Sequence, residues 1–282
     1  MLKNTFLHIP GIGAETEKKF WHRGIYDWYG FNNTDQGREP TKKEAVIEEY
    51  LLASEQHLHD GDPRFFAELM PPGLHWRFFP EFRESAVFLD IETSGLDICF
   101  GEISTIAMYD GRSIFTYVNG KNLDEFKNDI KKYNLIISYN GKCFDVPFIQ
   151  DYMGITLDHA HIDLRYVLAG LGFKGGLKRC EKAMGIDRGD LSGMDGYFAV
   201  HLWNEYKQTK DAKALETLLA YNVEDVVNLE ILMVKAYNQY LENTPFLKTR
   251  RLLPPDLPEI PFVPDMPTVE RIRKKTEMYN FF

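Results

Sequence analysis

Two carboxylates, Asp90 and Glu92, stand one residue apart at the end of an apolar run in the stretch VFLDIETSGL. Val87, Phe88, Leu89 and Ile91 predict a buried β-strand, in which alternate side chains point to the same face. Asp90 and Glu92 therefore project side by side, and like charges that close are costly to bury without a cation. Two other segments add oxygen ligands. SYNGKCFDVPFI puts Asp145 just past a second buried strand, where the Asn140-Gly141 turn leads into a helix. The ends of such strands are where α/β sheets hold ligands. AYNVEDVVNLEIL puts Tyr221 and Asp225 four residues apart on a helix, on one face and a turn from each other. Hard oxygen ligands of this kind suit Mg²⁺ or Mn²⁺ and not zinc.

The elements that must carry these residues begin near residue 86. AVFLDIE is a strand, ISTIAMY a second, and Asp110-Gly111 a hairpin turn into a third, SIFTYV. LDEFKNDIKKY has helical periodicity, LIISYN is another buried strand, and a long helical pattern covers roughly 212–241. Strands alternating with helices predict an α/β architecture, a mixed sheet with helices on its faces. Residues 1–80 predict a small, mostly helical region with breaks at PGIG, GDP and MPPG. The expected organisation is thus a helical region over 1–80, an α/β domain over 84–242 and a Pro-rich tail over 243–282. That tail, RRLLPPDLPEIPFVPDMP, predicts an extended chain followed by a short polar helix, TVERIRKKTEMY.

The 282 residues are enough for one large core with a satellite, and 44% apolar with 27% charged residues is an ordinary globular composition. No apolar run is long enough to span a bilayer, and the first residues lack the apolar core of a signal peptide. Cys99, Cys143 and Cys180 are scattered and odd in number, which predicts reduced thiols in a cytoplasm. A net charge of −9 argues against a protein that coats duplex nucleic acid. It does not argue against a nuclease, whose acidic cluster is neutralised by divalent ions.

Asp-Ile-Glu on a strand, Tyr-Asn-Gly-x-x-Phe-Asp at the next, and Tyr-x-x-x-Asp on a late helix together resemble the DEDD superfamily of 3′–5′ exonucleases. These have a ribonuclease-H-like fold. The middle motif is similar to that of the proofreading domain of B-family DNA polymerases. The flanks GGLKRCEKAMGI and YNVEDVVNLEIL are most similar to the YprB-type group of ribonuclease-H-like proteins. The resemblance covers about residues 84–242, and Tyr221 four before Asp225 is its tyrosine subtype. It implies two divalent ions, Mg²⁺ or Mn²⁺, of the kind that sit about 3.5–4 Å apart in two-metal sites. By the same resemblance Asp90, Glu92 and Asp225 hold one ion, Asp90 bridges to the second, Asp145 supports that second ion, and Tyr221 orients the attacking water. Asn140 and Phe144 of the middle motif are then expected to touch the nucleic acid. Asp163, in HIDLRY, reads as a structural acid.

Outside that domain, FLHIPGIGAETEKKFWHRGI is similar to a helix-hairpin-helix, a module that binds DNA backbone without reading sequence. Gly11 and Gly13 would let a phosphate approach, Lys18, Lys19 and Arg23 would add charge, and Glu15 and Glu17 would dilute it. Lys174, Lys178 and Arg179, around Gly-Gly, are further candidate backbone contacts. The C-terminal KTEMYNFF is similar to the motif that docks on sliding clamps of the PCNA type, with Met278, Phe281 and Phe282 as anchors and Lys275 where Gln is usual. The expected activity is exonucleolytic shortening of single-stranded DNA or DNA 3′ ends, in repair or replication. A 3′–5′ exoribonuclease and a noncatalytic DNA-binding adaptor remain the alternatives.

Overall fold

The computed structural model of the chain describes residues 1–33, 39–95, 101–191, 194 and 196–279, with the backbone alone at 190 and 276–279. Five strands form one sheet: β1 (Ala86–Thr93), β2 (Ile103–Tyr109), β3 (Ile114–Val118), β4 (Leu135–Ser138) and β5 (Ala160–Asp163). Their order is β3-β2-β1-β4-β5. β1 is antiparallel to β2, which is antiparallel to β3, whereas β4 lies parallel to β1 and β5 parallel to β4. A mixed sheet with covered faces is thus the observed architecture. β1, paired on both sides and covered on both faces, reads as a nearly continuous apolar run for that reason.

The helices that matter to the site are α1 (Ala14–His22), α2 (Lys42–His59), α3 (Asp145–Met153), α4 (Leu164–Gly170), α5 (Leu177–Ala183), α6 (Gly196–Thr209), α7 (Ala212–Leu241) and α8 (Met266–Tyr279). α7 occupies the span that its periodicity predicts. Its N-cap Asp211 accepts from the Lys213 N–H, and its apolar stripe (Val223, Val226, Leu229, Met233) packs in one cluster with Phe88, Ala107 and Tyr109. Val87, Leu89 and Ile91 point the other way, into a cluster with Phe126, Phe148 and Ile149. Each fully buried side chain of this size stabilises the fold by about 1.5–3 kcal/mol. The alternation has a direct consequence: Asp90 and Glu92 share the face of Phe88, which is the face α7 covers.

The N-terminal segment joins the core on the α7 face, where Trp28, Phe66 and Trp76 lie in the cluster of Phe88 and Tyr237. The chain before the Pro10-Gly11 turn is a single 3-10 turn, Leu2–Asn4, and not the first helix of a helix-hairpin-helix. Glu17 is no surface charge. Its Oε2 accepts from Thr5 Oγ1 at 2.6 Å and from the Phe6 N–H at 2.7 Å, and its Oε1 lies 3.0 Å from Arg77 Nη1. It pins the turn to α1. The helix expected over 123–133 is broken into a 3-10 turn Leu123–Glu125, an α turn Phe126–Asp129 and a 3-10 turn Ile130–Lys132. Phe126 and Ile130 are buried in the core, and Leu123 and Tyr133 pack partly buried against it.

The tail also departs from expectation. Residues 251–265 are irregular, as the prolines require, but α8 does not swing free on them. Val269 and Ile272 are buried beside Leu202 and Leu218 of α6 and α7. Asp265 pairs with Lys213 at 2.8 Å, and Lys275 with Glu205 at 2.9 Å. An amphipathic helix with two apolar anchors and matching charges docks on its own domain in preference to extending into water. The Met278 side chain, Phe281 and Phe282 lie outside the described residues. Among the described residues, no helix is long and apolar enough to cross a membrane.

Candidate active site

The carboxylates converge because three elements end at one place. β1 carries Asp90 and Glu92 toward α7. β4 ends in the Asn140-Gly141 turn, which delivers Asp145 to the first position of α3. α7 crosses above with Tyr221 and Asp225 a turn apart. One oxygen each from Asp90, Glu92 and Asp225 lies within 4.8 Å of the other two. Glu92 and Asp225 are 8% and 4% exposed, and Asp90 is half-buried. All five predicted residues line one cleft of about 620 Å³, together with Asn140, Phe144 and Lys178.

Local chemistry explains why the Asn140-Gly141 turn holds its shape. Asn140 has a left-handed φ of 65°, a conformation that asparagine tolerates better than most residues. The fully buried Asp163 fixes it. Its Oδ1 accepts from the N–H groups of Asn140 at 2.8 Å and Arg165 at 3.0 Å, and its Oδ2 from Lys142 N–H at 3.2 Å. Asp163 is therefore the structural acid that its sequence context predicts. A Cβ at Gly141 would lie 2.1 Å from Ser138 Oγ, so any side chain there must displace Ser138. Asp145 lines the cleft but stands outside the group of three. Its Oδ1 accepts from the Ile91 N–H at 3.2 Å, which ties α3 to β1 between the two carboxylates.

Several partners are not visible in the sequence motifs. Asn222, fully buried, donates from Nδ2 to Asp90 Oδ2 at 2.7 Å and accepts from Thr105 Oγ1 at 3.0 Å. Its signal in the sequence is a polar residue on the apolar stripe of α7, between Tyr221 and Asp225. Arg188, also buried, reaches Asp225 Oδ1 at 2.6 Å, Glu181 at 2.9 Å and Glu224 at 3.2 Å. Lys178, expected as a nucleic-acid contact, is ion-paired with Asp225, its ammonium 4.4 Å from the Tyr221 ring centroid. Tyr197 of α6 projects an exposed ring into the cleft. Gly11, Gly13 and Lys18 are not among the described lining of this cleft, and Lys18 pairs instead with Glu15 at 3.0 Å.

The electrostatics of the cluster favour either protonation or a bound cation. Burial first, then the charges of Asp225, Glu92 and Asp145, push the Asp90 carboxyl well above the usual carboxylate range. Burial and Asp225 do the same to Glu92. Burial pushes Asp145 up to about 7. Burial and the nearby Asp225 raise Tyr221, so its phenol stays protonated. Among the described residues, no hydrogen-bond donor reaches the Glu92 carboxylate, and a buried carboxylate without donors stays ionised only beside positive charge and otherwise takes up a proton. Lys178 and Arg188 meet part of that demand at Asp225. The donor set is all oxygen, with no thiolate or imidazole, and it fits a hard divalent ion such as Mg²⁺ or Mn²⁺.

A model of the RNase H superfamily matches residues 87–237. No curated protein matches the chain. Among solved structures, the chain is similar to the family B DNA polymerase of the hyperthermophilic archaeon Pyrobaculum calidifontis, at 17% identity and a TM-score of 0.42, over 56% of this chain and 24% of that one. It is also similar to Brucella melitensis NrnC bound to pGG, at 18% identity and a TM-score of 0.41, over 60% of this chain and 79% of that one. A structure described as the apo form of a nuclease gives 20% identity and a TM-score of 0.41, over 57% and 75% of the two chains. The chain spans about a quarter of the archaeal polymerase.

Proposed function

The chain belongs to the RNase H superfamily, and we propose that it is a metal-dependent 3′–5′ exonuclease of the DEDD type, tyrosine subtype and YprB-like. Its substrate in this reading is single-stranded DNA or DNA 3′ ends. The observation that carries the reading is the meeting of Asp90, Glu92 and Asp225 oxygens within 4.8 Å, on buried ground, with Tyr221 one helical turn from Asp225.

Asp90, Glu92 and Asp225, with Asp145 in support, are the residues that would hold divalent ions. When bound, such ions supply positive charge against the phosphodiester and make a water acidic enough to attack near neutral pH. The chain's own groups do the rest. Asn222 sets the rotation of the Asp90 carboxylate, leaving its other oxygen for the cleft. Arg188 holds Asp225 from behind, where it is joined to Glu181 and Glu224. The protonated Tyr221 hydroxyl can donate to, or accept from, the attacking water and so orients it. Phe144, half-buried on the cleft wall, offers an apolar edge to a terminal base.

The test is a 5′-labelled single-stranded DNA and its RNA counterpart, each incubated with Mn²⁺, Mg²⁺ or chelator, beside Asp90→Ala and Asp225→Ala. We expect a metal-dependent ladder shortening from the 3′ end of the DNA, at least about 10³-fold slower in either variant, with the fold intact. Shortening of RNA alone would keep the chemistry and change the substrate. Full activity in either variant would remove the carboxylates from the mechanism. Binding in chelator with no shortening of either polymer would leave the adaptor reading.

A further inference from the structure

A second cleft, of about 870 Å³, opens beside the first and shares Tyr139, Asn140, Leu177 and Gly196 with it. We propose that this cleft is the track for a single polynucleotide strand entering the site, with Arg165 and Lys174 taking backbone phosphates beside the reacting one and Tyr197 stacking an unpaired base. This rests on the nuclease reading for the identity of the first cleft.

The charge of the cleft runs against that of the chain. The whole protein carries a net −9, yet among the described residues the lining of this cleft holds two cations, Arg165 and Lys174, and no carboxylate. Both are exposed, and neither has an ion-pair partner among the described residues. Cations left unpaired on an acidic protein, next to a site for phosphodiesters, are placed for polyanion and not for stability. The walls of the cleft are also held in place. Arg165 is kept over it by a 2.5 Å bond from Nη1 to Asn140 Oδ1, on the turn that also delivers Asp145. Lys174 precedes Gly175, whose φ of +118° favours glycine over any side chain. The Tyr139 hydroxyl donates to the Gly175 carbonyl and fixes that turn. Tyr197 bears on strandedness. Gly196 lies at the junction of the clefts, and its neighbour Tyr197 is 60% exposed within the carboxylate cleft. The ring packs edge-on against His201, with centroids 4.7 Å apart, and its exposed face is free for an unpaired base, as in a single strand.

The experiment is binding, not turnover, so it stands apart from the nuclease reading. A 5′-fluorescein single-stranded DNA of about twenty nucleotides is titrated in chelator by fluorescence anisotropy over a range of salt. Arg165→Ala with Lys174→Ala should weaken binding at least tenfold at low salt. It should also reduce the slope of log Kd against log salt by about 1.4, because each phosphate contact on a single strand contributes about 0.7. Tyr197→Ala should weaken binding about tenfold and leave the slope unchanged. Because Arg165 also holds Asn140, Lys174→Glu is read alone as well and should weaken binding, while Arg165→Lys should retain most of it. Unchanged affinity and slope in the double variant would overturn the track. So would a blunt duplex of the same sequence bound as tightly as the strand. If the nuclease reading fails while these losses appear, the track stands as a binding site.

Discussion

Replacing Asn222 by leucine is the sharpest perturbation the site allows, because the two side chains have similar volume and the change removes two hydrogen bonds with little cavity. Asp90 Oδ2 loses a donor at 2.7 Å and Thr105 Oγ1 loses its acceptor at 3.0 Å. Without metal the Asp90 carboxyl is pushed toward its neutral form, so its hydrogen bond contributes about 0.5–1.5 kcal/mol, and a buried hydroxyl left unpaired costs about 1–3 kcal/mol. The two losses share one side chain, so about 1–4 kcal/mol is the expected cost to the metal-free protein in urea unfolding. A partner of this kind behind a metal ligand is also worth about 10–100-fold in metal affinity or activity. The Mn²⁺ concentration for half-maximal nuclease activity should therefore rise by that factor in Asn222→Leu. A stability loss under about 0.5 kcal/mol would refute the hydrogen-bond assignment. A normal stability loss with an unchanged Mn²⁺ requirement would show that Asn222 braces α7 against β2 and does not tune Asp90.

Tyr221→Phe should lower kcat by about 10–100-fold, with KM and thermal stability close to wild type, because it removes an orienting hydroxyl and no packing; a wild-type kcat would take Tyr221 out of the chemistry. Gly141→Ala should destabilise the chain by about 1–3 kcal/mol, since its Cβ must displace Ser138, and adding Ser138→Gly should recover part of that in the same denaturation assay. Burial lowers His8 from 6.5 to about 4, so the unfolded chain binds the proton that the folded chain refuses. His8 neutrality thus supports the fold above about pH 6.5, and that support is lost as the pH falls toward 4. The stability of His8→Gln relative to wild type should accordingly improve by about 3 kcal/mol between pH 7 and pH 4, and a pH-independent difference would contradict it.

What can be read from the chain and what cannot divides along contact range. β1 and the register of Asp90 and Glu92 follow from an alternation of period two, and the 30 residues of α7 follow from an apolar stripe with an Asp N-cap. These are local patterns, and the motif order adds the convergence of Asp145, Tyr221 and Asp225. Asn222 and Arg188 are invisible at that level because their partners are remote: Asn222 and Asp90 are 132 residues apart in sequence. A buried arginine among Glu181, Glu224 and Asp225 reads in sequence as an ordinary surface charge. For the same reason Glu17 reads as dilution of a basic turn, when it is committed to Thr5, Phe6 and Arg77. Proline content predicts the irregular tail correctly, but it carries no information on where α8 lands. That depends on Leu202 and Leu218, which face a groove only once α6 and α7 are side by side.

The central claim is that Asp90, Glu92 and Asp225 form one divalent-metal centre. Titrating Mn²⁺ into chelator-stripped protein and reading free Mn²⁺ by electron paramagnetic resonance tests it without any substrate. The account predicts saturable binding by the wild-type chain, reduced at least tenfold in Asp90→Asn and in Asp225→Asn while Lys18→Ala binds normally. Equal binding by all four proteins, or no binding by the wild-type chain, would contradict it.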